Sequence, residues 1–177
     1  CTRLNRVTIP ATVTSVGYAA FNGCTSLTQL SLGHIRDIGY YAFAGCTKLS
    51  QLTLPGSVRY IGNGAFMGCT GLTKVNTGSG ATSLGYAAFA GCWRLKDVVI
   101  GNAVAAIGAW AFSGCYSLTN VKIGLSVETI EEYAFEDCIS LTSLTVMPEL
   151  PPYLVDENCF SDEAYTQATL YVPLFSV

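Results

Sequence analysis

Charge is scarce in this chain: only 12% of its 177 residues are Asp, Glu, Lys or Arg, and histidine occurs once, at His34. A nucleophile and its base need several ionisable groups gathered on a concave surface. No motif places a Ser, Cys or acid beside His34, which reads as a solvated turn residue in a non-enzymatic chain. With a single histidine and evenly spaced cysteines, no ligand set converges on a metal, and none of the cofactor-binding motifs is present. No Gly-rich turn feeds a helix with a lysine placed after it, so a phosphate loop is excluded. No apolar run reaches the ~18 residues that cross a bilayer, so direct membrane insertion is not expected. The nine Lys and Arg are spread along the chain, too thinly for a nucleic-acid surface. There is no initiator Met and no signal peptide; the chain opens on Cys1 in mid-phrase and reads as a piece of a longer protein whose targeting segment lies upstream.

What the chain has in excess is regularity. The stretch Cys46 to Gly68 reads Cys-x-x-Leu-x-x-Leu-x-Leu-Pro-x-x-Val-x-x-Ile-Gly-x-x-Ala-Phe-x-Gly. The same phrase starts at Cys1, Cys24, Cys46, Cys69, Cys92, Cys115 and Cys138, in steps of 23, 22, 23, 23, 23 and 23 residues. A leucine pattern repeated at this period defines a leucine-rich-repeat solenoid. About seven repeats of 22–23 residues are expected over 1–146, followed by a degenerate, truncated C-terminal cap over 147–177. The second repeat is a residue short at Gly33-His34-Ile35.

Within each repeat, apolar-x-apolar alternation predicts a short parallel strand, as at Val7 and Ile9 around Thr8. Pro or Gly then ends it, as at Pro10, Pro55 and Gly101. A second apolar pair such as Val58 and Ile61 lines the opposite wall. The glycine that follows (Gly17, Gly39, Gly62, Gly85 and Gly108) is expected to turn the chain with positive φ. Ala-Phe-x-Gly-Cys closes the circuit as a loop or short 3₁₀ turn with the Phe inside. The expected fold is thus stacked short parallel β-strands with loops and 3₁₀ turns in a right-handed superhelix, a rod of about 35 Å at the inter-strand spacing.

Seven of the eight cysteines hold one repeat position and are expected to form a buried ladder of free thiols, since no pairing is singled out. Cys159 precedes Phe160 and fills the Ala place as a core residue. The fourth repeat departs furthest, with Thr77 and Ala81 at apolar positions, and Asn76 to Ser83 is expected to be its loosest segment. Beyond Val146 a proline-rich excursion, 147–153, precedes the Cys159-Phe160 pair, and Ala168 to Pro173 reads as a last strand.

The phrase Ile9-Pro10-x-x-Val13-x-x-Val16-Gly17-x-x-Ala20-Phe21-x-Gly23-Cys24 resembles the BspA-like, treponemal-type leucine-rich repeat, a likeness that covers Cys1 to about Val146. The ending, a Pro-Pro segment, a degenerate Phe repeat and Leu170-Tyr171-Val172-Pro173, resembles that family as well. The resemblance implies a secreted or cell-surface bacterial protein and adhesion to host matrix or other cell-surface protein. It carries no catalytic motif.

Three surfaces compete for a function. Stacked strands expose Arg6, Gln29, Gln51, Lys74, Asp97, Asn120 and Lys122, a face on which solenoids bind ligands. The same residue types also simply suit a wet strand face. An aromatic stripe, Tyr18, Tyr40, Tyr41, Tyr86, Trp110 and Tyr133, with Trp93 and Tyr116 adding to it, suits protein contacts or sugar stacking. Its rings alternatively lie flat on the next turn and thicken the core. The third surface is an acidic end. The first 127 residues hold all nine cations and two acids, net +7, whereas the last 50 hold ten acids and no cation, net −10. Such a dipole steers partners or serves as a polar end cap. A calcium site there lacks any EF-hand or nonapeptide spacing. A protein ligand is the favoured partner, with a glycan-binding module or a structural spacer as the alternatives.

Overall fold

The structure, a computed structural model, describes residues 1–147 and 152–171. Each turn contributes two strands. In order these are β1 (Arg6–Thr8), β2 (Ser15–Val16), β3 (Gln29–Ser31), β4 (Asp37–Ile38), β5 (Gln51–Thr53), β6 (Tyr60–Ile61), β7 (Lys74–Asn76) and β8 (Ser83–Leu84). They continue as β9 (Asp97–Val99), β10 (Ala106–Ile107), β11 (Asn120–Ile123), β12 (Thr129–Ile130), β13 (Ser143–Val146), β14 (Tyr153–Leu154) and β15 (Thr169–Tyr171), with a 3₁₀ turn at Glu157–Cys159 and α1 (Asp162–Gln167) before β15. All ladders are parallel, each strand pairing with its equivalent one turn away. The even strands form one continuous seven-stranded sheet from β2 to β14. The odd strands divide into β1-β3 and a six-stranded sheet from β5 to β15. That division falls at the shortened Gly33-His34 connection, where the 22-residue step disturbs the register on one wall only.

A third wall is built by the Ala-Phe loops. The amides of Phe21, Phe43, Phe66, Phe89 and Phe112 each donate at 2.8 Å to the Ala carbonyl one turn further on. Seven Phe rings stack inside it: successive centroids from Phe21 to Phe160 lie 5.0–5.4 Å apart with interplanar angles of 3–9°. The five from Phe43 to Phe135 are fully buried. Tyr165 of α1 stands on edge against Phe160 at 5.9 Å and ends the column.

The cysteines are free; Cys1 is exposed and the other seven are buried. From the third turn on, each ladder thiol donates to a Phe carbonyl of the preceding turn: Cys46 Sγ to Phe21 O at 3.4 Å, Cys69 to Phe43 at 3.1 Å, Cys92 to Phe66 at 3.4 Å, Cys115 to Phe89 at 3.5 Å and Cys138 to Phe112 at 3.3 Å. The same carbonyls already accept a backbone bond, as from Cys24 N at 3.2 Å. Cysteine is thus the residue small and apolar enough to be buried while still meeting a carbonyl's second lone pair. Cys159 repeats the arrangement by donating to Ile130 O at 3.3 Å.

Two expectations need correction. Gly17, Gly39, Gly62, Gly85 and Gly108 are not among the positive-φ residues; those are the residues two places later, including Ala19, Tyr41, Gly64, Ala87, Trp110 and Tyr133. Glycine is required for space: a Cβ on Gly62 or Gly85 would come within 2.8 Å or 2.7 Å of backbone atoms of the turn before. Second, the fourth turn is tied down. Thr77 is fully buried with its hydroxyl accepting from Gly101 N at 2.9 Å, and Asn76 Oδ1 accepts from Gly78 N at 2.9 Å. The acids Glu131 and Glu132, at the point where earlier turns carry the ladder glycine, leave the stack regular, since β12 pairs on both sides. Glu131 replaces the ladder glycine, and its Oε2 accepts from Ala109 N at 2.9 Å. Of the C-terminal expectations, the strand is found at Thr169–Tyr171, while 148–151 of the proline-rich stretch and Val172-Pro173 lie outside the described residues.

Candidate functional site

The strand-face candidates fall into rows set by register. Gln51, Lys74, Asp97 and Asn120 occupy one row on β5, β7, β9 and β11, with Lys122 in the row beside it. Arg6 and Gln29 pair separately on β1 and β3. All are exposed except Asp97, which is half-buried and accepts from Asn120 Nδ2 at 2.9 Å. This face is polar, and it alternates in charge: Lys74, Asp97 and Lys122 follow one another on consecutive strands.

The aromatic stripe splits into two rows with different roles. Tyr41, Trp110 and Tyr133 have positive φ and are half-buried. Tyr41 lies over Gly64, where an added Cβ would meet its ring at 2.4 Å, and Trp110 lies 4.6 Å from Tyr133. These rings cover the next turn. The preceding position, Tyr18, Tyr40 and Tyr86, projects outward at 74%, 46% and 51% exposure. Tyr18 meets Tyr41 edge-on at 6.3 Å. Trp93 and Tyr116 belong to neither row, because they follow the Cys position on the far side of the Phe loop.

The row of outward tyrosines borders the even-numbered sheet, and here the structure adds residues that pattern-reading passed over. Tyr60 of β6 points outward while Ile61 points in, and its ring lies 6.3 Å from that of Tyr40. The Tyr40 hydroxyl beside it, with partial burial, pushes the Tyr60 phenol up to about 12. Arg36 and Arg59 are exposed immediately before β4 and β6, and Arg59 Nη1 is held by Gly56 O at 2.7 Å. The available signal was the two-residue alternation of Tyr60-Ile61, which sets Tyr60 on the outer face one period after Asp37. The result is a corner carrying Tyr18, Tyr40, Tyr60 and Tyr86 beside two guanidinium groups.

Elsewhere the chemistry is quiet. Burial pushes the Cys92 thiol up to about 12 and raises those of Cys115 and Cys138. Such thiols do not ionise near neutral pH and are not nucleophiles. Among the described residues no three His, Cys, Asp or Glu side chains converge as a metal site. The acids of the C-terminal end crowd one another instead: burial, then the charges of Asp137, Asp162 and Glu163, raises the Glu136 carboxyl. An apolar cavity of about 360 Å³ opens at this end between Ile130, Leu144, Phe160 and Leu170. Pro152 and Leu170, which line it, adjoin in sequence the residues that are not described. No described helix is long and apolar enough to cross a membrane.

Parallel strands of two to four residues, a buried Phe column and a Leu-Cys core repeated turn after turn define a leucine-rich-repeat solenoid. The BspA type leucine rich repeat model matches residues 1–105 and 36–166 in six copies, and the chain belongs to that family. Among solved structures it is similar to a leucine-rich repeat protein of T. pallidum, at 30% identity over 97% of this chain and 86% of that one, with a TM-score of 0.79. A leucine rich cell surface protein of Faecalibacterium prausnitzii shares the fold at 22% identity over 99% of this chain and 61% of its own length, TM-score 0.64. So does a leucine-rich repeat protein of Bacteroides ovatus, at 21% identity over 98% and 56%, TM-score 0.56. No curated protein matches the chain.

Proposed function

We propose that this solenoid is a non-enzymatic interaction module of a bacterial cell-surface protein, and that it binds a host or microbial protein through the tyrosine corner of its first four turns. The observation that carries the reading is the set of exposed rings at Tyr18, Tyr40, Tyr60 and Tyr86 beside Arg36 and Arg59. Tyrosine and arginine dominate the residues that hold protein partners together, because each combines a large desolvated contact with hydrogen bonding. Each ring has only two side-chain torsions to order, so little entropy is lost on docking. Description of the F. prausnitzii relative as a cell surface protein supports the location. The family's repeats support an interaction role, and the buried, non-ionising thiols offer no nucleophile.

The test is binding of the purified chain to a panel of host matrix proteins at two salt concentrations. A saturable interaction, weakened by salt and lowered at least tenfold in affinity by the double change Tyr40→Ser and Tyr60→Ser, is expected. Circular dichroism of the variant confirms that the fold is kept. Binding that survives this change but is lost on Lys74→Ala with Asn120→Ala moves the site to the strand face. Absence of any saturable partner makes the chain a spacer.

A further inference from the structure

The odd-numbered wall is severed once, between β3 and β5, while the two other walls run through the same level unbroken. One turn earlier the amides of Thr28 and Gln29 donate to Asn5 O at 3.0 and 3.2 Å, and Ile9 N donates to Ser31 O at 2.8 Å. One turn later Thr73 N donates to Ser50 O at 2.8 Å, and Leu54 N to Asn76 O at 2.9 Å. Among the described residues, the bonds that would continue this series, from Ser50 and Gln51 to Thr28 O and from Leu32 N to Thr53 O, are not made. On the even-numbered wall at that level Arg59 N donates to Arg36 O at 2.7 Å and Gly62 N to Ile38 O at 2.8 Å. On the Phe wall, Phe43 N donates to Ala65 O and Gly45 N to Met67 O, both at 2.8 Å. The cause lies in chain length. The five residues 32–36 join β3 to β4, whereas six join β1 to β2, β5 to β6 and β7 to β8 (9–14, 54–59 and 77–82). The shorter tether puts β3 out of line with β5. Packing shows the consequence: Leu30, at the inward position of β3, is only half-buried, while its counterparts Val7, Leu52, Val75, Val98 and Val121 are buried.

We infer that this seam, held open by the short tether, is a hinge: the solenoid bends there by opening the odd-numbered wall about the unbroken even-numbered and Phe walls. Bending at any other junction of described turns must break ladder bonds, because those turns are tied on all three walls. At the seam the bonds of one wall are already absent, so opening sacrifices only the side-chain contacts around Leu30. A stack allows motion to concentrate in this way, since each repeat touches only its neighbours and the turns on either side move as rigid bodies. Amides left without a ladder partner belong to the least protected part of a backbone. The hinge also divides the exposed strand face. Gln29 and Gln51 stand on its two lips; Arg6 moves with Gln29, while Lys74, Asp97 and Asn120 move with Gln51. A ligand that spans this face selects one bend out of the range available. The tyrosine corner beside β4 and β6 sits on the continuous wall and keeps its spacing, so the hinge stands whatever that corner binds.

The experiment compares two nitroxide pairs by pulsed electron spin resonance in the whole chain, on a Cys1→Ser background because the remaining cysteines are buried. Ser31→Cys with Lys122→Cys spans four turns across the seam, and Thr53→Cys with Thr145→Cys spans four turns without crossing it, at equivalent places in the repeat. A distance distribution at least twice as wide is expected for the first pair. Hydrogen exchange of the unmodified chain is expected to be at least tenfold faster at the amides of Ser50 and Leu32 than at their bonded counterparts Thr73 and Leu54. A Ser inserted after His34 restores the six-residue tether. It is expected to narrow the first distribution to the width of the second and to remove the exchange difference. Equal widths for the two pairs in the chain of native length overturn the proposal. So does an inserted variant, folded by circular dichroism, that stays as wide across the seam as before. If the insertion prevents folding, the two pairs in the chain of native length still decide.

Discussion

Removing one ring from the middle of the Phe column should destabilise the solenoid far more than removing one from its end. Phe89 is fully buried, with Phe66 and Phe112 stacked on its two faces at 5.3 Å each. Truncation to Ala in a core typically costs about 3–5 kcal/mol, and loss of two stacking partners places Phe89→Ala in the upper part of that range. For a chain of this size each kcal/mol lowers Tm by about 2–4 °C, so a drop of about 8–20 °C is expected. Phe21 is half-buried and has a single stacked neighbour, Phe43 at 5.2 Å, so Phe21→Ala should cost about half as much. Because each repeat touches only its neighbours, Phe66→Ala combined with Phe89→Ala should depart from additivity by about 0.5–3 kcal/mol, while Phe43→Ala with Phe135→Ala should add. Urea unfolding followed by far-ultraviolet circular dichroism measures the five single and two double variants. Equal costs at Phe89 and Phe21, or a cost below about 1 kcal/mol at Phe89, would refute the packing argument.

Three further outcomes follow from the same stack. In the native protein an aromatic disulfide reagent should modify Cys1 rapidly and the seven buried thiols only on unfolding; fast reaction of two or more would contradict their burial. Burial raises the folded-state thiols of Cys92, Cys115 and Cys138 above their ordinary value of 9.0, that of Cys92 to about 12, so the contribution of Cys92 is intact below pH 9 and falls as pH rises toward about 12. Cys92 should remove about 1.4 kcal/mol per pH unit over that window, and Cys92→Ala should make the measured slope shallower. At the acidic end the raised Glu136 carboxyl means that neutralisation favours the folded state, so its ionisation costs stability as pH climbs through the folded-state value. Glu136→Gln should therefore raise Tm at pH 7 and have no such effect at pH 4, as paired melting curves would show.

The repeat was legible because the same residue types recur where the same physics recurs. Leu49 and Leu52, the Phe column and the Cys ladder each answer a demand that every turn makes, so seven copies average out local accidents. The ladder glycines show where pattern alone misleads. Their recurrence signalled a special backbone need, but the need is room for the neighbouring turn at Gly62 and Gly85, a property of stacking that one turn does not display. Glu131 was opaque for the same reason: its carboxylate bonds to Ala109 N in the turn before, a partner 22 residues away. Thr77 looked like weakness in a single repeat, and its bond to Gly101 N is visible only between turns.

The candidate sites were less legible than the fold. Exposure of Tyr18, Tyr40 and Tyr86 follows from their place just past the ladder glycine, but the different fate of Tyr41, Trp110 and Tyr133 depends on a positive φ one residue later. Tyr60 joins the corner from a strand and so escaped a search based on one repeat position.

The most direct measurement is hydrogen–deuterium exchange of the chain alone and bound to the matrix protein recovered from the binding panel. Protection on binding confined to peptides covering Tyr18, Arg36 to Tyr41, Arg59 to Tyr60 and Tyr86 is the result predicted for a tyrosine-corner interface. Protection that instead follows Gln51, Lys74, Asp97 and Asn120, with the corner unchanged, would contradict it.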